Sequence, residues 1–110
     1  MADFTQLKKE FAAASDFLIA LGDEKRQAII IRLLENGSCK GLRVNELTEA
    51  TQLSRPAISH HLKILRDAKL VDYQREGTKN YYYLTHETSK IVEMKTLLEH
   101  VMAAMDTETK

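Results

Sequence analysis

The stretch from Leu53 to Leu70, LSRPAISHHLKILRDAKL, constrains this chain more than any other. It reads as one helix with a marked start. Ser54 is a good N-cap, because its hydroxyl can accept from N–H groups of the first turn. Pro56 falls in that turn, where the N–H it lacks would have no helical partner. Ile58, Leu62 and Leu65 recur at i, i+4 and i+7, so one stripe faces a core. The other face carries Arg55, Ala57, Ser59, His60, Lys63 and Arg66, with no acid before Asp67. Short donors near the N-terminus with cations along the flank suit a helix that enters the major groove of a duplex end-on. A merely solvated face has the same polarity, so the flanking sequence decides.

Val44 to Thr51 reads as a short helix, with Leu47 and Ala50 turned inward. Gln52-Leu53 then makes a tight turn into the helix that starts at Ser54. Two helices joined so closely form a helix-turn-helix, here at about 44–68, whose second helix is the reader. After Leu70 the period changes from that of a helix to that of a strand. VDYQRE and KNYYYL are two strand-like runs separated by Gly77-Thr78. Tyr81 and Tyr83 share one face of the second run, and Tyr82 and Leu84 share the other. A hairpin in this place, at about 71–84, is a wing. Arg75 and Lys79 flank its tip, where a cation reaches phosphate or the adjacent minor groove.

The flanks read as helices. Asp23 caps a helix with Glu24 in its first turn, and Asn36-Gly37 ends it. Ala28, Ile30, Ile31, Leu33 and Leu34 make it apolar on more than one side, which predicts a central position. Residues 38–43 are a connector. Upstream, Phe4, Leu7, Phe11, Ala14, Leu18 and Leu21 alternate spacings of three and four on one helix, about 4–21, that stops at Gly22. Downstream, Ile91, Met94, Leu98, Val101, Met102 and Met105 form a stripe on a helix of about 88–105, with Leu97 beside it. Residues 106–110 are a polar tail expected to fray. A small winged core cannot bury both terminal stripes. The economical solution is a homodimer in which Phe4, Leu7, Phe11, Leu18, Ile91, Met94, Leu98, Val101, Met102 and Met105 pair across a two-fold axis.

These elements predict a mainly α fold with a small β-hairpin wing: four helices, two strands and a fifth helix, over a single domain at 1–110. The chain has 110 residues, 44% of them hydrophobic, enough for a small core. No apolar run is long enough for a bilayer, and the N-terminus lacks the pattern of a secretory signal. The one cysteine, Cys39, excludes an internal disulfide framework and fits a reducing cytoplasm. Net charge is zero, with 16 bases and 16 acids, which argues against a nonspecific polyanion binder. The distribution is uneven: residues 54–85 hold six bases and three acids, whereas residues 86–110 hold three bases and five acids.

The run from Leu18 to Leu84 resembles the ArsR/SmtB family of bacterial winged-helix repressors. The residues that carry the likeness are ALGDEKRQAIIIRLLENG, VNELTEATQLSRPAISHHLKILRDAKLV and YQREGTKNYYYL. The resemblance implies a dimer that binds an inverted repeat in the major groove and leaves it when an inducer binds. It places Arg55, Ala57, Ser59 and His60 at base-reading positions, and Ser54 and Lys63 at phosphate. Pro56 stands at a position often polar in such proteins, and its backbone cannot donate.

The inducer is where this chain departs. Many members of that family carry Cys-Val-Cys before the reader, a thiolate site for soft metals. Here the matching residues are Arg43-Val44-Asn45. Others hold metal on the last helix, through an Asp-x-His pair and a His-x-x-Glu pair. Here Thr88 and Lys90 stand at the first pair, and Ala103 lies three residues after His100. His86 and His100 are the remaining metal candidates; the reading is of no cofactor and of an effector that stays unknown. Cys39 lies near Lys40 and Arg43, which can lower a thiol pKa, but it has no second cysteine to pair with. Against the DNA reading stands a winged-helix module that binds protein or RNA; the polar reader face with Ser59, His60, Lys63 and Arg66 argues against it. Catalysis has little support, since His60-His61 has neither a nucleophile nor a paired acid beside it.

Overall fold

The computed structural model describes residues 4–37 and 40–108. Its elements, in order, are α1 (Thr5–Ala13), α2 (Ser15–Leu21), α3 (Glu24–Asn36), α4 (Val44–Thr51), α5 (Arg55–Asp67), β1 (Val71–Glu76), β2 (Lys79–Leu84) and α6 (Ser89–Glu108). The architecture is a mainly helical winged helix-turn-helix. Among the described residues no helix is long and apolar enough to cross a membrane.

Local chemistry sets most boundaries. Asp23 Oδ1 accepts from the N–H groups of Lys25 at 2.7 Å and Arg26 at 3.1 Å, which opens α3. Gly37 closes it at φ 61, a conformation that costs glycine nothing. Ser54 Oγ accepts from Ala57 N–H at 3.3 Å and opens α5, with Pro56 in the first turn. The end of α5 is a Schellman closure built without glycine. Lys69 takes φ 66, Lys69 N–H donates to Arg66 O at 2.9 Å, and Leu70 N–H donates to Leu65 O at 3.0 Å. The buried Leu70 that follows anchors that turn in the core.

The two strands pair antiparallel with Val71 opposite Leu84 and Glu76 opposite Lys79. Gly77 turns the hairpin at φ 62, as a two-residue primed turn requires. Tyr82 and Leu84 pack on the core, as the period-two pattern predicts. The connector before α4 makes a contact that no periodicity announces. Leu42 and Tyr82 exchange backbone hydrogen bonds of 2.8 Å in each direction, which docks the connector on the wing. Gly41 makes the approach possible: a Cβ there would lie 2.3 Å from Tyr82 O.

The core gathers Phe17 and Ala20 from α2, Ile29 and Leu33 from α3, Leu42, Leu47 from α4, and Ile58, Leu62 and Leu65 from α5, closed by Ala68, Leu70 and Val71. Several expectations need correction. The single helix expected at 4–21 is two helices that meet at Ala14, where ψ is 0°. Ser15 Oγ donates to Phe11 O at 3.1 Å, a back-bond that bends helices. Past the bend, Phe17 and Ala20 turn inward, while Leu18 of the expected seam stays exposed. Ala50 is exposed, not inward. Ile31 and Leu34 are 55% and 63% exposed, so α3 is buried on one side only. Met94, read as a seam residue, packs partly on the core of its own chain, and Leu97 beside it is the buried residue of α6. Of residues 106–110, expected to fray, 106–108 continue α6 and 109–110 lie outside the described residues.

Candidate nucleic-acid interface

The exposed face of α5, the candidate reader, follows from the burial of its opposite. Ile58, Leu62 and Leu65 are 0–1% exposed, which fixes the rotation of α5 about its axis. Arg55, Pro56, Ser59, His60, Lys63 and Arg66 are then exposed together, and Ala57 is half-buried. Ser54 is exposed too, although its hydroxyl is engaged by the cap. Arg66 is drawn toward the wing, its guanidinium 4.4 Å from the centre of the Tyr73 ring.

His60 and His61 divide as their positions dictate. His60 faces solvent. His61 is half-buried, and its Nδ1 lies 3.2 Å from Arg26 Nη1. A guanidinium can only donate, so Nδ1 accepts and the neutral ring carries its proton on Nε2. Partial desolvation pushes the His61 pKa below the usual imidazole value, and the Arg26 charge adds to that against the opposing pull of Asp23. Arg26 is 7% exposed. Its Nε donates to Ala20 O and its Nη2 to Ile19 O, each at 3.0 Å, so it caps the end of α2 from the start of α3. Asp23 Oδ2 lies 3.7 Å from Arg26 Nη1. The Asp23 carboxyl is held below its ordinary pKa, first by the Arg26 N–H at the cap. This network ties the reader helix to α2 and α3. Sequence reasoning missed Arg26; its only signal was a cation at the third helical position after a capping acid.

The wing tip carries the expected cations. Arg75 folds back on its own turn, donating from Nε to Gly77 O at 3.0 Å. Lys79 is exposed. Lys40 lies 3.5 Å from Glu76 and 4.6 Å from the Tyr81 ring centre, a second tie between connector and wing. Between wing and helix pair lies a cleft of about 120 Å³, lined by Arg43, Asn45, Arg55, Lys79 and Asn80 among others.

The metal candidates stand apart from this surface. His100 Nδ1 lies 2.9 Å from both carboxylate oxygens of Glu10, joining α6 to α1. His86 stacks on Tyr83 with ring centres 5.8 Å apart. Among the described residues no three His, Cys, Asp or Glu side chains are grouped closely enough to share a metal ion. Arg43 and Asn45 offer a cation and an amide, not thiolates, so the donor chemistry does not fit a soft metal. Cys39 lies outside the described residues.

Comparison with known proteins agrees with this geometry. Residues 24–73 match the family model described as bacterial regulatory protein, arsR family. An HTH-type transcriptional regulator of Methanocaldococcus jannaschii is 35% identical over 82 residues, which span 74% of this chain and 89% of that protein. The arsenical resistance operon repressor of Bacillus subtilis is 41% identical over 69 residues, 62% of each chain, so the likeness covers under two thirds of that repressor. An ArsR-like transcriptional regulator from Rhodococcus sp. RHA1 superposes with a TM-score of 0.75 at 24% identity, over 90% of this chain and 85% of that one, a likeness of fold. The chain belongs to the arsR family of DNA-binding transcriptional regulators, a family of regulators and not of enzymes.

Proposed function

We propose that the chain acts as a homodimeric repressor that reads an inverted-repeat operator through α5 and steadies itself with the wing. The observation that carries this reading is the reader face: Ser59, His60 and Lys63 are exposed on a helix whose other side is wholly core. In this reading Ala57, Ser59 and His60 meet base edges, and Ser54, Lys63, Arg75 and Lys79 meet phosphate. The dimer reading is supported by apolar side chains on the terminal helices. Phe4, Phe11 and Leu18 are 39–45% exposed, and Ile91, Leu98, Met102 and Met105 are 51–65% exposed. Leu7 and Val101 are half-buried.

Selection from randomised duplexes tests this directly. The selected sites should be inverted repeats with half-sites about one helical turn apart, ~34 Å. Recovery of isolated half-sites would overturn the two-fold reading. On a selected site, Ser59→Ala and His60→Ala should each cost about 1–3 kcal/mol while leaving scrambled duplexes unaffected. Equal losses on both duplexes would assign the two side chains to positioning.

The signal that releases the operator does not carry over from the arsenical repressor. The chain has one cysteine, and Arg43 and Asn45 stand where the family's thiolate pair falls. Zinc, cadmium and arsenite at micromolar levels are therefore expected neither to bind stoichiometrically nor to release DNA. Calorimetry that finds one tight site per subunit would overturn this, and His86 and His100 would be the first residues to replace.

A further inference from the structure

The geometry points to Arg55 as a phosphate ligand: with Arg43 and Lys79 it clamps one DNA backbone phosphate in the cleft between the wing and the helix-turn-helix, and Asn45 holds it there. The proposal rests on the reading of the chain as a DNA-binding regulator. It gives Arg55 a different task from the base-reading one that the family resemblance suggests.

Arg55 is the first residue of α5, and its side chain does not run along the reader axis. Its Nη1 donates to Asn45 Oδ1, on the second residue of α4. The guanidinium is thus turned across the helix pair, toward the start of α4. There it lines a cleft of about 120 Å³ that Arg43 enters from the connector and Lys79 and Asn80 enter from β2. Among the described residues no Asp or Glu lines this cleft. Three cations from three separate elements line this one space, while the nearby Glu46 carboxylate accepts from the Arg43 backbone N–H and is not part of the lining. A guanidinium fork beside an ammonium matches the geometry and charge of a phosphodiester.

The two walls of the cleft are also tied to one another. Its helical wall begins at Arg43, directly after Leu42. Its other wall is β2, to which Leu42 is joined by the paired backbone bonds with Tyr82. Gly41 lets the two backbones meet at that distance. With the backbones of its two walls already hydrogen-bonded together, binding a phosphate has to order the Arg and Lys side chains but not the walls that carry them. A helix entering the major groove has backbone phosphates on its flank, and these give register but no sequence.

The test uses the full chain, a selected duplex and its scrambled counterpart, with fluorescence anisotropy over a salt series. Arg55→Ala and Arg43→Ala should each weaken both duplexes by the same factor, about tenfold near physiological salt. Each should also lower the slope of log K against log salt by about one. Asn45→Ala should weaken both equally and by less, with the slope kept, because no charge is removed. Arg55→Lys should restore the slope. If Arg55→Ala lowers the melting temperature, Arg55→Gln is read in its place. Loss confined to the selected duplex would overturn the clamp and return Arg55 to base reading, and an unchanged slope would overturn it equally. Failure of the unaltered chain to bind either duplex would instead remove the DNA-binding reading on which the clamp rests.

Discussion

Helix α5 gathers its apolar side chains on one face and α6 spreads them around its axis, and the apolar surfaces of the two meet opposite fates. In α5, Ile58, Leu62 and Leu65 are at most 1% exposed. In α6, Leu97 is buried at 1%, but Ile91, Val92, Leu98, Met102 and Met105 are all more than half exposed. The first helix has a finished interior, so its polar face is at liberty to serve a ligand. The second holds more apolar surface than its own chain can cover, which is the usual mark of a surface that meets another protein. Both helices carry apolar residues at helical spacing, but only in α5 do they keep to a single face.

The largest effect should come from breaking the finished side. Leu62→Ala removes a fully buried side chain amid Ile58, Leu65 and the α2–α3 core, at an expected cost of about 2–5 kcal/mol. Urea denaturation should show it as a lower midpoint at similar slope. Duplex binding should fall only as far as the folded fraction does. A cost below about 1 kcal/mol would mean that α5 is not held by this face, and the comparison with α6 would fail.

The same kind of change on the unfinished side should act on assembly instead of folding. Leu98 is 54% exposed, so Leu98→Glu removes little burial from the chain itself. At an apolar two-fold seam it would place two carboxylates near one another, at a cost on the order of 2–4 kcal/mol of dimer stability. Sedimentation should then show a monomer where the unaltered chain is expected to be a dimer at micromolar concentration, with helicity retained and operator binding lost. An unaltered chain that sediments at 12.6 kDa would sink the dimer.

A smaller effect tests the joint between wing and helix pair. Gly41 has φ +91, and a Cβ there would meet Tyr82 O at 2.3 Å. Gly41→Ala should cost at least about 1–2 kcal/mol from the backbone conformation alone. It should also loosen the wing, seen as faster amide exchange at Leu42 and Tyr82, whose N–H groups each donate to the other's carbonyl. Unchanged exchange at those two amides would show that the bridge does not set the position of the wing.

What the sequence disclosed and what it withheld follow the same division. Ser54, Pro56, Asp23, Gly37 and Gly77 act on their immediate neighbours, and rules of capping and turn geometry located them without a fold. The family likeness added a function to the reader, because its motif lies within one continuous stretch. The bend at Ala14, the inward turn of Phe17 and Ala20, and the exposure of Ile31 and Leu34 depend on which surfaces meet in space. A seam of alternating threes and fours is satisfied by a straight helix or a bent one, and the back-bond from Ser15 decides between them. The bridge from Leu42 to Tyr82 joins residues 40 positions apart in a connector without periodicity, and Arg26 looked like one more surface cation until three carbonyl and imidazole acceptors surrounded it.

The smallest expected effect is a pH dependence at that last network. His61 faces Arg26 and Asp23 from α3 and its cap, and His60 on its own helix. Its folded pKa lies below the ordinary 6.5, chiefly because partial burial disfavours the charged ring. The folded chain therefore binds fewer protons at this site than the unfolded chain does. Stability from His61 is fully present above pH 6.5 and declines as pH falls from there toward the folded pKa, since protonation turns the Nδ1 acceptor into a donor aimed at Arg26. Asp23 is depressed from 3.8, so its contribution is lost only at much lower pH and does not enter this window. His61→Gln keeps an acceptor for Arg26 without a titrating group. Thermal melts between pH 7.5 and 5.5 should fall less steeply for His61→Gln than for the unaltered chain, and identical slopes would show that the contact between α3 and the reader does not titrate.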